Sequence, residues 1–144
     1  MNVKRHMTAI EHESITHLTN RRPHAALVTL DLADGRRVEG VGKSYLTWRR
    51  AESQAMESAK WAADETAFSY EITKAEVGHG HVVNFVGDEF RVHHKRIPLP
   101  PHHKVGIRAT KSDRTYDASG SSFLRFNRAF SDALTSAQSR FDRR

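Results

Sequence analysis

Cysteine is absent from all 144 residues, which excludes disulfide staples, thiolate nucleophiles and cysteine-held zinc. No stretch approaches the run of about eighteen apolar residues that a membrane span needs. The opening MNVKRHM is basic but lacks the apolar run of a signal peptide, so a cytoplasmic protein away from the membrane is expected. Phosphate loop, dinucleotide fingerprint, G-x-S-x-G, HEXXH and paired catalytic carboxylates are all missing. Nothing in the sequence argues for an enzyme or for a cofactor. Proline is scarce, with four in all, and three of them (Pro98, Pro100 and Pro101) crowd into one short stretch. A cluster of that kind breaks strand pairing and reads as a stiff linker.

What is present is a stretch that occurs twice. Residues 42–59 read GKSYLTWRRAESQAMESA and residues 120–137 read GSSFLRFNRAFSDALTSA. At an offset of 78, nine of the eighteen positions are identical, among them Gly42/Gly120, Leu46/Leu124 and Arg50/Arg128. This points to an internal duplication. In both copies the apolar residues recur at helical spacing. Trp48, Ala51, Ala55, Met56, Ala59, Ala62 and Ala63 share one arc; Phe126, Ala129, Phe130, Ala133, Leu134, Ala137 and Phe141 share the other. The spacing predicts helices at about 45–66 and 123–141, each with an alanine stripe for close packing. Glu52 lies inside the first arc where the second has Phe130. It either reaches the edge of the arc or pairs with a nearby cation, or it is a functional carboxylate with a raised pKa.

The rest of the chain frames these helices. Residues 8–19, with Thr8 and Glu11 in capping-box spacing, predict a short helix. Alternation over Ala26, Val28, Leu30 and Leu32, the turn Ala33-Asp34-Gly35 and the segment Arg36 to Val41 predict a hairpin. Phe68 to Val77, His81 to Val86 and Phe90 to Ile97 predict a meander. Lys104 to Ala109 and Arg114 to Ala118 form a second hairpin. The expected fold is α+β, one domain over 1–144: a ββα unit at 23–66, a meander and linker at 67–100, and a second ββα unit at 101–144. Units this small must share a core or be completed by a homo-oligomer. One conflict stands in the pattern. Pro23-His24 matches Pro101-His102 and Arg36 matches Arg114 at the same offset, yet the second hairpin buries odd positions (Val105, Ile107, Ala109). Either a compensating insertion or bulge lies near the turn, or the first strand is not duplicated.

Charge is uneven. The net charge is +6. Residues 104–144 carry nine Lys/Arg against four Asp/Glu, whereas residues 23–66 carry six against seven. A basic second unit suggests an anionic partner, most simply RNA or DNA, with a solvated basic face as the plain alternative. The candidate contacts are Lys43 and Ser44 at the mouth of the first helix, Arg49, Arg50, Arg125 and Arg128 in the first turns, the row Arg91, His93 and Lys95, and Lys104. Ten histidines are many, but His79, His81, His93, His94, His102 and His103 follow no tight ligand spacing, so no metal is expected. Trp61, on the polar arc, marks a stacking surface or lies beneath the meander.

From Pro23 to Ala63 the chain resembles the C-terminal part of a double-stranded-RNA-binding domain. The matching pieces are Pro23-His24, Ala33-Asp34-Gly35, Gly40-Val41-Gly42-Lys43-Ser44 and the Ala51 to Ala63 helix. The resemblance implies that the His24 loop touches a minor groove and the helix start holds phosphates. Departures from the family pattern are the four residues Tyr45 to Trp48 before Arg49-Arg50, no room for a first strand before Pro23, and Ala118 in the second copy. Small tandem ββα proteins of the YegP-like kind also look similar in outline. A nucleic-acid-binding protein is the leading expectation. The other is an interaction or inhibitor module, of the kind phages encode, that docks on an acidic protein surface.

Overall fold

The computed structural model describes residues 9–19, 23–77, 81–86, 89–94, 103–122 and 125–143. Eight strands and two helices follow in order: β1 (Ile10–His17), β2 (His24–Leu32), β3 (Arg37–Ser44), α1 (Trp48–Glu65), β4 (Ser69–Glu76), β5 (His81–Val86), β6 (Glu89–His94), β7 (His103–Lys111), β8 (Arg114–Ser122) and α2 (Phe126–Asp142). The fold is α+β, with two antiparallel sheets ordered β1-β2-β3 and β6-β5-β4-β7-β8. The proline linker and the turns at 78–80 and 87–88 lie outside the described residues.

The segment expected to be an N-terminal helix is strand β1. Its residues are all exposed, and residues 12–17 pair in register with Ala26 to Asp31 of β2. The ladder decides this. An isolated short helix has little to stabilise it, while the outer edge of β2 carries backbone groups that need partners.

Each helix lies on a hairpin through its alanine stripe. Ala51, Ala55, Ala59, Ala62 and Ala63 are buried in α1, and all seven residues of the second arc are buried in α2. The reason for the repeated glycine is steric. A Cβ on Gly42 would stand 2.2 Å from the Ala51 carbonyl oxygen, and one on Gly120 would stand 2.0 Å from that of Ala129. Only glycine opposite alanine lets strand and helix backbones come so close.

The parity conflict has a simple origin. Ala26 pairs with Gly42 and Val105 with Gly120, 16 residues apart in the first hairpin and 15 in the second. The second hairpin is one residue shorter, and in its turn Ser112 adopts a positive φ of 56°. Along the first strands, His24 therefore corresponds in register to His103 and Val28 to Ile107, rather than His24 to His102.

Arg36 and Arg114 hold matching places. The Arg36 guanidinium donates to the carbonyls of Thr66 and Ala63, the latter at 3.0 Å. That of Arg114 donates to the carbonyls of Arg140, Phe141 and Arg143 at 3.1–3.2 Å. Each cation closes the negative end of its own helix.

The two sheets meet where β3 runs beside the first half of β4. Glu39, largely buried, accepts the Ile72 N–H with Oε1 at 2.5 Å and the Thr29 hydroxyl with Oε2 at 3.0 Å. The Tyr70 hydroxyl donates to the Glu39 carbonyl, and the Arg37 N–H donates to Ser69 Oγ at 3.2 Å. Beyond a register shift between Ile72 and Lys74, the edge of β4 turns to β5 instead. From β4 the packing runs on to α2, Phe68 with Phe141 at 5.2 Å and Tyr70 with Phe130 at 5.9 Å, and the buried residues form one cluster.

Candidate functional site

The residues singled out by charge and spacing fall in three places. The first is the end of the β2-β3 hairpin, where His24 pairs in register with Ser44 and α1 begins. The Ser44 Oγ is already engaged, accepting the N–H groups of Leu46 and Thr47 at 3.1 and 3.3 Å. Thr47 caps α1 by accepting from the Arg50 N–H at 3.2 Å. This helix mouth is therefore largely self-satisfied. The ring of His24 packs on Trp48 at 4.6 Å, with Nδ1 buried and without a hydrogen-bond partner. It serves packing here, rather than presenting a free loop side chain. Lys43 is half-buried 5.9 Å over the Tyr45 ring, and burial lowers its ammonium pKa. Arg49 and Arg50 are exposed.

His17 of β1 also stacks on Trp48, at 3.8 Å and 7°, and its Nε2 lies 2.9 Å from Glu52. Glu52 thus reaches a neighbouring ring nitrogen, the first of its two readings. Both partners are partly exposed, so the pair contributes at most about 1 kcal/mol.

The second place is a cleft of about 670 Å³ between the helices, lined by Glu57, Ser58 and Trp61 of α1 and by Arg125, Asn127, Arg128, Phe130 and Ser131. Ser58 Oγ donates to Asn127 Oδ1 at 3.2 Å and ties the helices together at this point. A smaller hollow continues along the same pair of helices toward Leu134 and Gln138, again against Trp61. Trp61 is 41 % exposed. It stands in the cleft with α2 and does not lie beneath the meander. In contrast with α1, the start of α2 has no side-chain cap, since its N-cap residue is Arg125. Arg125 and Arg128 are exposed, and neither helix has an acidic residue in its first turn.

The third place is on the strands. Arg91 and His93 lie exposed on the same side of β6, and Lys104 is exposed on β7. Lys95 lies outside the described residues, as do His79 and His102. His103 is buried with its ring edge-on to Phe126 at 6.4 Å, the counterpart of His24 against Trp48. Among the described residues no three His, Asp or Glu side chains gather as a metal site, and no helix is long and apolar enough to cross a membrane.

The cations divide into two groups. Arg36, Arg37, Arg108 and Arg114 are held by carboxylates or helix carbonyls within the chain. Arg49, Arg50, Arg91, Lys104, Arg125 and Arg128 make no ion pair among the described residues. The feature that sequence reasoning missed is Glu39. Its signal was available, because Val41, two positions on along the same strand face, is apolar and that face is buried. No family model matches this chain, and no curated protein matches it.

Proposed function

We propose that this protein binds nucleic acid by its phosphate backbone, and that the cleft between α1 and α2 is the centre of the contact surface. The observation that carries the reading is the uncapped start of α2, where Arg125 and Arg128 stand beside the exposed Trp61 without a carboxylate of their own. Two cations at the positive end of a helix are unfavourable for that helix alone. A phosphate placed there meets both guanidinium groups and the free backbone N–H groups. The indole adds a flat surface on which a base can stack. The net charge of +6 supplies the long-range attraction.

The reading includes a duplication of a hairpin–helix unit. It is supported by the matched places of Arg36 and Arg114, of Gly42 and Gly120, and of the His24–Trp48 and His103–Phe126 pairs. It also retains the likeness to a double-stranded-RNA-binding domain. Strand β1 now stands ahead of Pro23, where a first strand had seemed to have no room. Against a direct carry-over, Ser44 and His24 are occupied within the chain, which moves the centre of the proposal to α2. One observation favours the second reading, docking on another protein: Tyr45 and Leu46 at the β3–α1 turn are 42 % and 64 % exposed.

A gel-shift series with duplex RNA, duplex DNA and a single strand, each across a range of salt, tests the proposal. Replacing Arg125 and Arg128 by Ala should weaken binding evenly across sequences. The slope of log affinity against log salt should become shallower by about one for each lost cation. No binding to any of the three at low salt would leave the docking reading in its place.

A further inference from the structure

We infer that two outer strands, β8 of one sheet and β1 of the other, both unpaired on one side among the described residues, are the two halves of a self-association interface, with β1 of a second copy lying along β8. The argument is independent of the nucleic-acid reading and starts from the junction inside the chain. There β3 meets β4, and Glu39 takes the N–H of Ile72. The strand registers identify the counterparts of both strands. β3 and β8 are the second strands of the two hairpins, and Glu39 corresponds to Asp117, three positions before Gly42 and Gly120 respectively. β4 and β1 each pair with a hairpin's first strand, Ile72 opposite Ile107 and Ile15 opposite Val28. Since Ile107 and Val28 correspond, so do Ile72 and Ile15. The chain therefore contains one junction of the type β3 to β4 and leaves over the strands β8 and β1, which are the same two types.

The free edges fit this use. The Leu18 N–H donates to the Ala25 carbonyl at 2.8 Å. Alternation along an antiparallel ladder then turns the N–H groups of Thr16 and Ser14 toward β2 and that of Ile15 outward. Ile72 presents its N–H to Glu39 in the same way. Ile15 is also 47 % exposed, an apolar side chain on a strand whose residues are all open to solvent. β8 is nine residues long, pairs with β7 without a register shift and contains no proline. It is thus a long, regular edge without proline or bulge, interrupted on its exposed side by Asp117. Repeating the internal junction between copies is a head-to-tail contact, and its smallest closed form is a dimer with two such contacts.

Light scattering on the eluting full-length protein, across a range of concentration, tests this. The expected mass is twice the 16.4 kDa of one chain. Ile15→Lys places a charge in the contact and should weaken association by about a hundredfold or more. Asp117→Lys should do the same from the other side. Leu46→Lys, at a more exposed apolar position away from both edges, should leave the dimer intact. All the variants change exposed positions and should keep the wild-type far-ultraviolet dichroism. A monomer at every concentration overturns the inference, and so does a dimer that Leu46→Lys disrupts and Ile15→Lys spares. Nucleic-acid binding by a wild-type monomer would leave the proposed function standing while removing this one.

Discussion

Glu39 Oε1 receives the Ile72 N–H at 2.5 Å, so one buried carboxylate fastens the two sheets where no backbone ladder joins them. Burial raises its pKa above the ordinary glutamate value. The N–H of Ile72 and the hydroxyl of Thr29 pull in the opposite direction, and the neighbouring Glu71 adds to the rise. A raised carboxylate binds its proton more tightly in the folded state. Its contribution to stability is full below the unfolded pKa and is lost as pH rises through the folded one. Gln at this position keeps an acceptor for Ile72 and can donate to Thr29, but it does not titrate. Urea unfolding should therefore show wild type losing stability relative to Glu39→Gln as pH is raised from 4 to 8. Glu39→Ala leaves the Ile72 N–H buried without a partner and should cost about 2–3 kcal/mol. A difference between wild type and Glu39→Gln that is flat across this range would refute the linkage.

The glycines opposite the alanine stripes give a second expectation. A Cβ on Gly42 or Gly120 meets helix backbone within 2.2 or 2.0 Å, so the helix must move away. Gly42→Ala and Gly120→Ala should each cost about 3 kcal/mol by chemical denaturation. Gly35 is a control of a different kind. It has φ of 90° with nothing near its Cβ position, so Gly35→Ala should cost only backbone strain, about 1 kcal/mol. Equal losses at all three positions would mean that close packing is not what selects glycine at 42 and 120.

Both helices and their buried arcs were legible because 3.6-residue periodicity is a local signal, and here it agrees with tertiary packing. The α2 arc was read residue for residue. Residues 10–17 were misread because Thr8 and Glu11 signal a helix locally, while the pairing that makes them a strand comes from β2, distant in sequence. The change of face along β4 was not legible for a related reason. A register shift after Ile72 reverses the faces, so Ala75 is buried and Lys74 is not. Ser44 was named for chemistry that its own neighbours already use, and His24 for a ring that packs on Trp48 instead. No one-dimensional pattern records that a hydroxyl is spent on Leu46 and Thr47. The placement of Trp61 against Arg125 and Arg128 depends on how two helices distant in sequence lie together, which periodicity does not carry.

Arg114 should matter more than an exposed arginine usually does. Its guanidinium serves three carbonyls at the end of α2 and packs on the rings of Tyr116 and Phe141 at 5.2 and 5.9 Å. Lys keeps the charge but loses the planar fork and the stacking. Arg114→Lys should cost about 1 kcal/mol and Arg114→Ala about 2 kcal/mol, against a negligible change for Arg128→Ala. Comparable losses at 114 and 128 in thermal unfolding would show that the contacts at the helix end do not stabilise the fold.

The most direct probe of the cleft uses the two tryptophans. Trp48 packs against the rings of His17 and His24, and Phe126 at the start of α2 packs against His103. Trp48→Phe copies that arrangement and should fold with a loss of only about 1 kcal/mol. The chain has two tryptophans, so this variant leaves Trp61 as the sole indole reporter. At 41 % exposure its emission should lie toward the red and be quenched by iodide. If bases stack in the cleft beside Arg125 and Arg128, an oligonucleotide should quench Trp61 and shield it from iodide. Added salt should reverse both effects. Combining Trp48→Phe with Arg125→Ala and Arg128→Ala should leave the starting spectrum unchanged and abolish the response. Binding seen by gel shift with no change in Trp61 emission would place the contact elsewhere, with the Arg49–Arg50 end of α1 the next surface to test.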